Sequence, residues 1–256
     1  MPTLLEMLGL GAVLGIAPLV LGYVPVFLMS GRKRLWIQFS AGVALGFLSL
    51  FFTELIDDSG FLGMSTGLPV TSDQLVLSSL FVLGFVCFML LSERNHSAKS
   101  ARSRLGTAYL AYLVAAGIGL HSLGEGMIIG NSLASQVPIF ELASIFQGIS
   151  FSLHKFLEGF TLAVFYESQP RVKTALICTG LASLPLLVGI PFGVSTYPAV
   201  FAGLFFAAGA GAVIFMILQL APLVKTSVGY VTLFGFIVGF ALVYVGSLIH
   251  YTASFY

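Results

Sequence analysis

Residues 198–222 read PAVFAGLFFAAGAGAVIFMILQLAP, an unbroken apolar run from Pro198 to Pro222 that carries no charge and has Gln219 as its one strongly polar side chain. A helix needs about 20 apolar residues to cross a hydrocarbon core of about 30 Å, so this stretch is long enough to span a bilayer. Its continuity also favours helices over a membrane barrel, whose strands are short and alternate in polarity. Working outward, the same reading gives spans near 4–29, 36–56, 74–92, 105–131, 138–166, 173–194 and 227–250. The expectation is an all-α polytopic membrane protein of eight transmembrane helices.

The composition agrees. Of the 256 residues, 58% are hydrophobic and 8% charged, whereas a soluble domain carries roughly 25% charged residues. A water-soluble fold is excluded on that ground. Eight spans and short connections use the whole length, so residues 1–256 are expected to form a single transmembrane domain. The segment Met1 to Glu6 lacks the basic region of a signal peptide, and the apolar stretch behind it is too long for a cleaved one. Cys87 and Cys178 both fall inside apolar runs, which leaves no disulfide framework and no CxxC motif.

Charge is sharply segregated. The first connection holds Arg32, Lys33 and Arg34, the third Arg94, Lys99, Arg102 and Arg104, the fifth Arg171 and Lys173, and the seventh Lys225. The second holds Glu54, Asp57, Asp58 and Asp73, and the fourth holds Glu141. Basic connections face the cytoplasm, so both termini are expected outside. Lys155 alone breaks the pattern, because it lies within the fifth span.

A weak internal repeat links the two ends of the chain. Phe39-Ser40-Ala41-Gly42 in span two matches Phe206-Ala207-Ala208-Gly209 in span seven, and Gly15 before Pro18-Leu19 matches Gly180 before Pro185-Leu186. The matched spans run in opposite directions. This predicts an inverted repeat of spans 1–3 and 6–8 around a central pair, a transporter pattern with the substrate site near the midplane.

That central pair carries the chemistry. Span four contains His121-Ser122-Leu123-Gly124-Glu125-Gly126 and span five contains His154-Lys155-Phe156-Leu157-Glu158-Gly159, each H-x-x-x-E-G. Residues four apart share a helix face, so each helix presents an imidazole and a carboxylate in one direction. Because the two spans are antiparallel, facing the stripes sets His121 level with Glu158 and Glu125 level with His154. Two imidazole nitrogens and two carboxylate oxygens suit tetrahedral Zn²⁺, and the two negative charges balance the ion. Intramembrane ionisable groups are functional by default, since an unpartnered buried charge costs several kcal/mol or more. The same ligands accept Fe²⁺, Mn²⁺, Co²⁺ or Cd²⁺.

With these two motifs on adjacent spans, the chain resembles the ZIP (Zrt- and Irt-like protein) family of metal transporters. The resemblance covers the whole chain in topology, and its specific part is the pair of motifs. It implies eight spans with external termini, and uptake of zinc, iron or manganese into the cytoplasm by alternating access through the ligand square. Departures matter as well. Relatives with a second metal site use an Asn after the first His, an acid after the second, and another acid on span six. Here those places hold Ser122, Lys155 and no acid along 173–194, so one mononuclear site is expected. Proline, common in relatives before the motif Glu, is replaced by Gly124 and Leu157. The third connection has His96 as its only histidine, so no metal-sensing loop is expected. The residue that span two contributes to the site cannot be assigned from the sequence.

Weaker pathway candidates are Gln147, Ser150, Ser122, Asn131 and Gln219, each of which also suits an interhelical hydrogen bond. Lys155 is expected beside the square, modulating Glu125 or Glu158 by its charge. The external acids could gather cations by their field or serve as solvated loop charges. Two other functions use the same His and Glu residues: an intramembrane zinc metalloenzyme, disfavoured because four protein ligands close the open position that a catalytic zinc needs, and a proton or cation channel. No enzymatic reaction and no organic cofactor are expected. The expected partners are the metal ion and membrane lipid, with no nucleic acid; a homodimer is compatible with the reading, and the plasma membrane is the expected location.

Overall fold

The computed structural model describes residues 3–29, 34–63, 70–94, 108–134, 142–166, 172–195, 198–225 and 229–253. Every secondary-structure element among them is helical. The first span is α1 (Leu4–Gly11), a π-helical segment (Ala12–Ile16) and α2 (Ala17–Met29) in succession. It is followed by α3 (Arg34–Gly63), α4 (Val70–Arg94), α5 (Ala108–Ala134), α6 (Leu142–Tyr166), α7 (Val172–Ser195), α8 (Pro198–Lys225) and α9 (Tyr230–Ala253). α1 begins with a capping box, in which the Thr3 hydroxyl accepts from the Glu6 amide and the Thr3 amide donates to the Glu6 carboxylate at 2.6 Å.

Seven helical segments are long and apolar enough to cross a membrane. The eighth long helix, α6, is outside that set because Gln147, His154, Lys155 and Glu158 lower its apolar content. Its length of about 37 Å is sufficient, and its polar residues turn into the bundle.

α5 lies at the centre, against α7, α8 and α6, while α3 packs on α8 and α9, α4 on α8, and α2 on α6. Apolar association alone cannot drive helices together in lipid, so close van der Waals packing has to do it. Two helix pairs achieve this with facing G-x-x-x-G stripes. Gly126 and Gly130 of α5 meet the backbone of Leu186 and Ile190, and Gly189 and Gly193 of α7 meet that of Leu123 and Met127. Gly42 and Gly46 of α3 likewise meet the backbone of Thr232 and Phe236, and Gly235 and Gly239 of α9 meet that of Phe39 and Val43: a Cβ at any of these positions would strike the partner backbone. Bulky apolar groups such as Leu83 and Leu90 of α4 and Phe234 and Ile237 of α9 point outward, as lipid-facing residues must.

α3 corrects the sequence reading. The apolar run ends near residue 56, but the helix continues to Gly63, so Glu54, Asp57 and Asp58 are helical residues rather than part of a connection. Asp73 is likewise in the first turn of α4. A charged residue ends a span only when it must reach bulk water, and Glu54 instead lines a cavity within the bundle and accepts the hydroxyl of Ser247. Arg32, Lys33, His96, Lys99, Arg102, Arg104, Glu141 and Arg171 lie outside the described residues.

Candidate metal centre

α5 and α6 bring the two H-x-x-x-E-G motifs face to face. The pairings step in opposite directions along the helices: His121 meets Glu158, while Glu125 meets Lys155 three residues earlier. One ligand atom from each of His121, Glu125, His154 and Glu158 can be chosen so that all four lie within 4.8 Å of one another. Donors around a tetrahedral zinc with bonds of about 2.1 Å are separated by about 3.4 Å. The cluster is therefore one small contraction from a metal-binding geometry.

Glu158 is the hub. Its Oε1 is 2.9 Å from His121 Nε2, 3.1 Å from His154 Nε2 and 2.8 Å from Lys155 Nζ. Lys155 also donates to Glu158 Oε2 at 2.9 Å and to the Ser122 hydroxyl at 2.8 Å, and it pairs with Glu125. His121, Ser122, Lys155 and Glu158 are all buried. Among the described residues one buried imidazole nitrogen nevertheless lacks a hydrogen-bond partner, His121 Nδ1. Buried polar atoms are nearly always satisfied, and an imidazole crowded against carboxylates with a nitrogen left over fits a cation-binding cluster.

The charge count differs from that of the ligand square alone. Glu125 and Glu158 contribute two negative charges and Lys155 one positive, so the empty cluster carries a net single negative charge with neutral imidazoles. A divalent ion would take it to a net single positive charge rather than to neutrality. The reading that balanced two carboxylates against the ion left the ammonium out.

The square is asymmetric in access. Glu125 and His154 retain 15% and 18% side-chain exposure, whereas His121 and Glu158 have none. A cavity of about 560 Å³ reaches Glu125 and His154 from the end of the bundle formed by the C-terminal halves of α3, α5 and α9. Its polar lining includes Gln147, Ser150, Glu54, Asp57, Asp58 and Ser247. Beyond the square the bundle is solid, with Leu110, Val114, Leu162, Phe165, Met216 and Leu220 fully buried.

The pathway candidates separate accordingly. Gln147 and Ser150 line the cavity, and Ser150 donates to the Gly246 carbonyl at 2.8 Å. Ser122 sits in the cluster as the partner of Lys155. Asn131 is exposed, does not line the cavity, and lies near the C-terminal end of α5, while Gln219 lies near the C-terminal end of α8.

Sequence reasoning missed the place of four residues at the site. From α3, the Phe51 ring packs edge-on against both imidazoles, with centroids 4.8 Å from His121 and 4.5 Å from His154, and Phe47 adds a contact 5.5 Å from His154. Glu54, one turn further along, has Oε2 3.9 Å from His154 Nδ1. From α8, Gly209 makes room for His121: a Cβ there would stand 2.8 Å from the His121 Cβ. The sequence had marked Gly209 through the repeat and Glu54 as one of the acids that could gather cations.

Fold and cluster together define a helical, membrane-type protein whose buried His/Glu cluster could hold a metal ion. No protein-family model matches the chain, and no curated protein matches it.

Proposed function

We propose that the chain is a carrier of the ZIP type, moving a divalent transition metal toward the cytoplasm by alternating access, with Zn²⁺ as its principal cargo. One mononuclear site of His121, Glu125, His154 and Glu158 holds the ion. The observation that carries this reading is the asymmetric square: four ligand atoms within 4.8 Å, two residues facing a cavity and two sealed behind it. A carrier needs a site reachable from one side while the other side is closed. A channel needs a continuous path, and the solid packing beyond the square argues against one. Fe²⁺, Mn²⁺, Co²⁺ and Cd²⁺ suit the same ligands.

Eight spans follow if α6 crosses the membrane with its polar face inward. The helix contacts also support the inverted repeat. Exchanging spans 1, 2, 3 and 4 with 6, 7, 8 and 5 turns each principal pairing into another that is present. The pair α5 and α7 maps onto α6 and α2, α3 and α9 onto α8 and α4, and α5 and α8 onto α6 and α3. With basic connections cytoplasmic, the cavity opens outside, the termini lie outside, and the structure corresponds to an outward-open state in a plasma membrane.

Uptake of radioactive zinc into proteoliposomes, with iron, manganese and cadmium as competitors, tests the reading. Saturable uptake with competition among these ions is expected. Flux that neither saturates nor responds to transition metals would assign the protein to the channel class instead.

A further inference from the structure

The ligand square and Lys155 leave one carboxylate near the site without a role. Glu54 projects from α3, half-buried, with its two oxygens engaged differently. Oε1 accepts the hydroxyl of Ser247 from α9, while Oε2 faces Nδ1 of His154 at 3.9 Å. The other nitrogen of that ring, Nε2, is buried and stands at the ligand square, 3.1 Å from Glu158 Oε1. Phe47 and Phe51 lie edge-on against the imidazole, at centroid distances of 5.5 and 4.5 Å, and restrict its rotation.

A neutral imidazole carries one proton. If Nε2 gives its lone pair to a metal, the proton is on Nδ1, and leaving that N–H unsatisfied in a partly buried position costs about 1–3 kcal/mol. Metal-binding histidines commonly meet this need with a carboxylate on the second nitrogen, which fixes the tautomer and makes the ring a better donor. We propose that Glu54 is the positioning residue of His154, accepting the Nδ1 proton so that Nε2 is presented to the metal, with Ser247 holding the Glu54 carboxylate in place. The proposal rests on the metal-site reading above. At 3.9 Å the two atoms are outside hydrogen-bond distance, and a closure of about 1 Å makes the contact a hydrogen bond.

The arrangement makes the two histidines unequal. Among the described residues His121 Nδ1 has no hydrogen-bond partner, so His121 is oriented through its Nε2 contact with Glu158 at 2.9 Å and by packing, with no carboxylate on its second nitrogen. His154 is steered from α3 and α9, which ties occupancy of the site on α6 to the two helices that hold Glu54.

Calorimetric zinc titration of the purified full chain, combined with solid-state NMR of ¹⁵N-histidine-labelled protein in bilayers, tests this. With only four histidines in the chain, His154→Gln assigns the signal. Expected are a zinc-loaded His154 metallated at Nε2 with its proton on Nδ1, and an affinity loss of roughly tenfold or more in Glu54→Leu. Glu54→Gln, whose amide oxygen can still accept the proton, should recover part of that loss, and Ser247→Ala should show a smaller loss without touching the helix interior of α3. Unchanged affinity in Glu54→Leu and Ser247→Ala, or metal bound to Nδ1 of His154, would overturn the proposal while leaving the metal site standing. A parent chain that binds no zinc would overturn the metal site itself, and this inference with it.

Discussion

Lys155 and Glu158, one helical turn apart on α6, form a buried two-pronged ion pair, with the ammonium 2.8 and 2.9 Å from the two carboxylate oxygens. The same ammonium reaches Glu125 and Ser122 on α5, so it bridges the helices that carry the ligands. It stands where an incoming cation would draw on the same oxygens.

Lys155 therefore competes with the metal while supporting the empty protein. Each 1.4 kcal/mol of relieved competition is tenfold in affinity, and Lys155→Met should tighten zinc binding by about that factor or more. The metal-free variant should melt lower, since removing one partner of a buried pair typically costs about 3–5 kcal/mol, and zinc should raise its melting temperature more than the parent's. Calorimetric titration checks the prediction: one site in the parent and tighter binding in the Met variant are expected. Two sites in the parent, or no binding in Lys155→Met, would show a different role for the lysine.

The two carboxylates should respond differently to removal. Glu125→Ala, at the cavity wall, should abolish zinc binding and leave folding largely intact. Glu158→Ala should lose binding and also stability, by about 3–5 kcal/mol, because it removes the two-pronged partner of a buried ammonium and leaves that charge with Glu125 alone. Adding Lys155→Met to Glu158→Ala should return much of that stability. Thermal melts of the four proteins in detergent test the contrast, and equal melting temperatures for Glu125→Ala and Glu158→Ala would count against Glu158 as the hub.

Much of this was legible in the sequence, and the remainder was hidden for identifiable reasons. Continuous apolar runs located the helices, and the four-residue spacing of His121 with Glu125 and of His154 with Glu158 marked the four side chains that the fold gathers into one cluster. Adjacency to His154 put Lys155 beside them, yet only the reach of its side chain determines that both carboxylates share it. Glu54 was misplaced because it was grouped with Asp57 and Asp58 as a charge of the connection, although α3 continues to Gly63. Phe47 and Phe51 were invisible among 24 phenylalanines, since nothing in an apolar ring distinguishes a neighbour of imidazole from one of lipid. The π-helical segment Ala12–Ile16 has no distinctive composition.

Gly209 is predicted to be a constraint on His121. A methyl group there would stand 2.8 Å from the His121 Cβ, too close without movement of α5 or α8. Overpacking of this kind costs about 1–3 kcal/mol, and the displaced imidazole should weaken zinc binding as well. Gly180→Ala, where the new methyl would meet the Leu184 side chain at an ordinary 3.7 Å, is the control. Zinc affinity unchanged in Gly209→Ala would show that the close approach is not needed for the site.

One-sided access can be read chemically. In a background with Cys87 and Cys178 replaced by alanine, Ser150→Cys should react with a water-soluble, membrane-impermeant thiol reagent applied outside, and zinc should slow the reaction. Leu162→Cys, in the solid packing beyond the square, should remain unlabelled from outside. Labelling of both from the same side would contradict a sealed inner half.

The central claim is that four side chains hold one ion, and zinc K-edge X-ray absorption of the protein loaded with one equivalent of zinc tests it most directly. The predicted spectrum has four nitrogen or oxygen neighbours at about 2.0–2.1 Å, two of them imidazole by their outer-shell scattering, and no sulfur. His154→Ala should lose one imidazole or the metal altogether. A spectrum without imidazole scattering, with sulfur neighbours, or unchanged by both His121→Ala and His154→Ala would contradict the account.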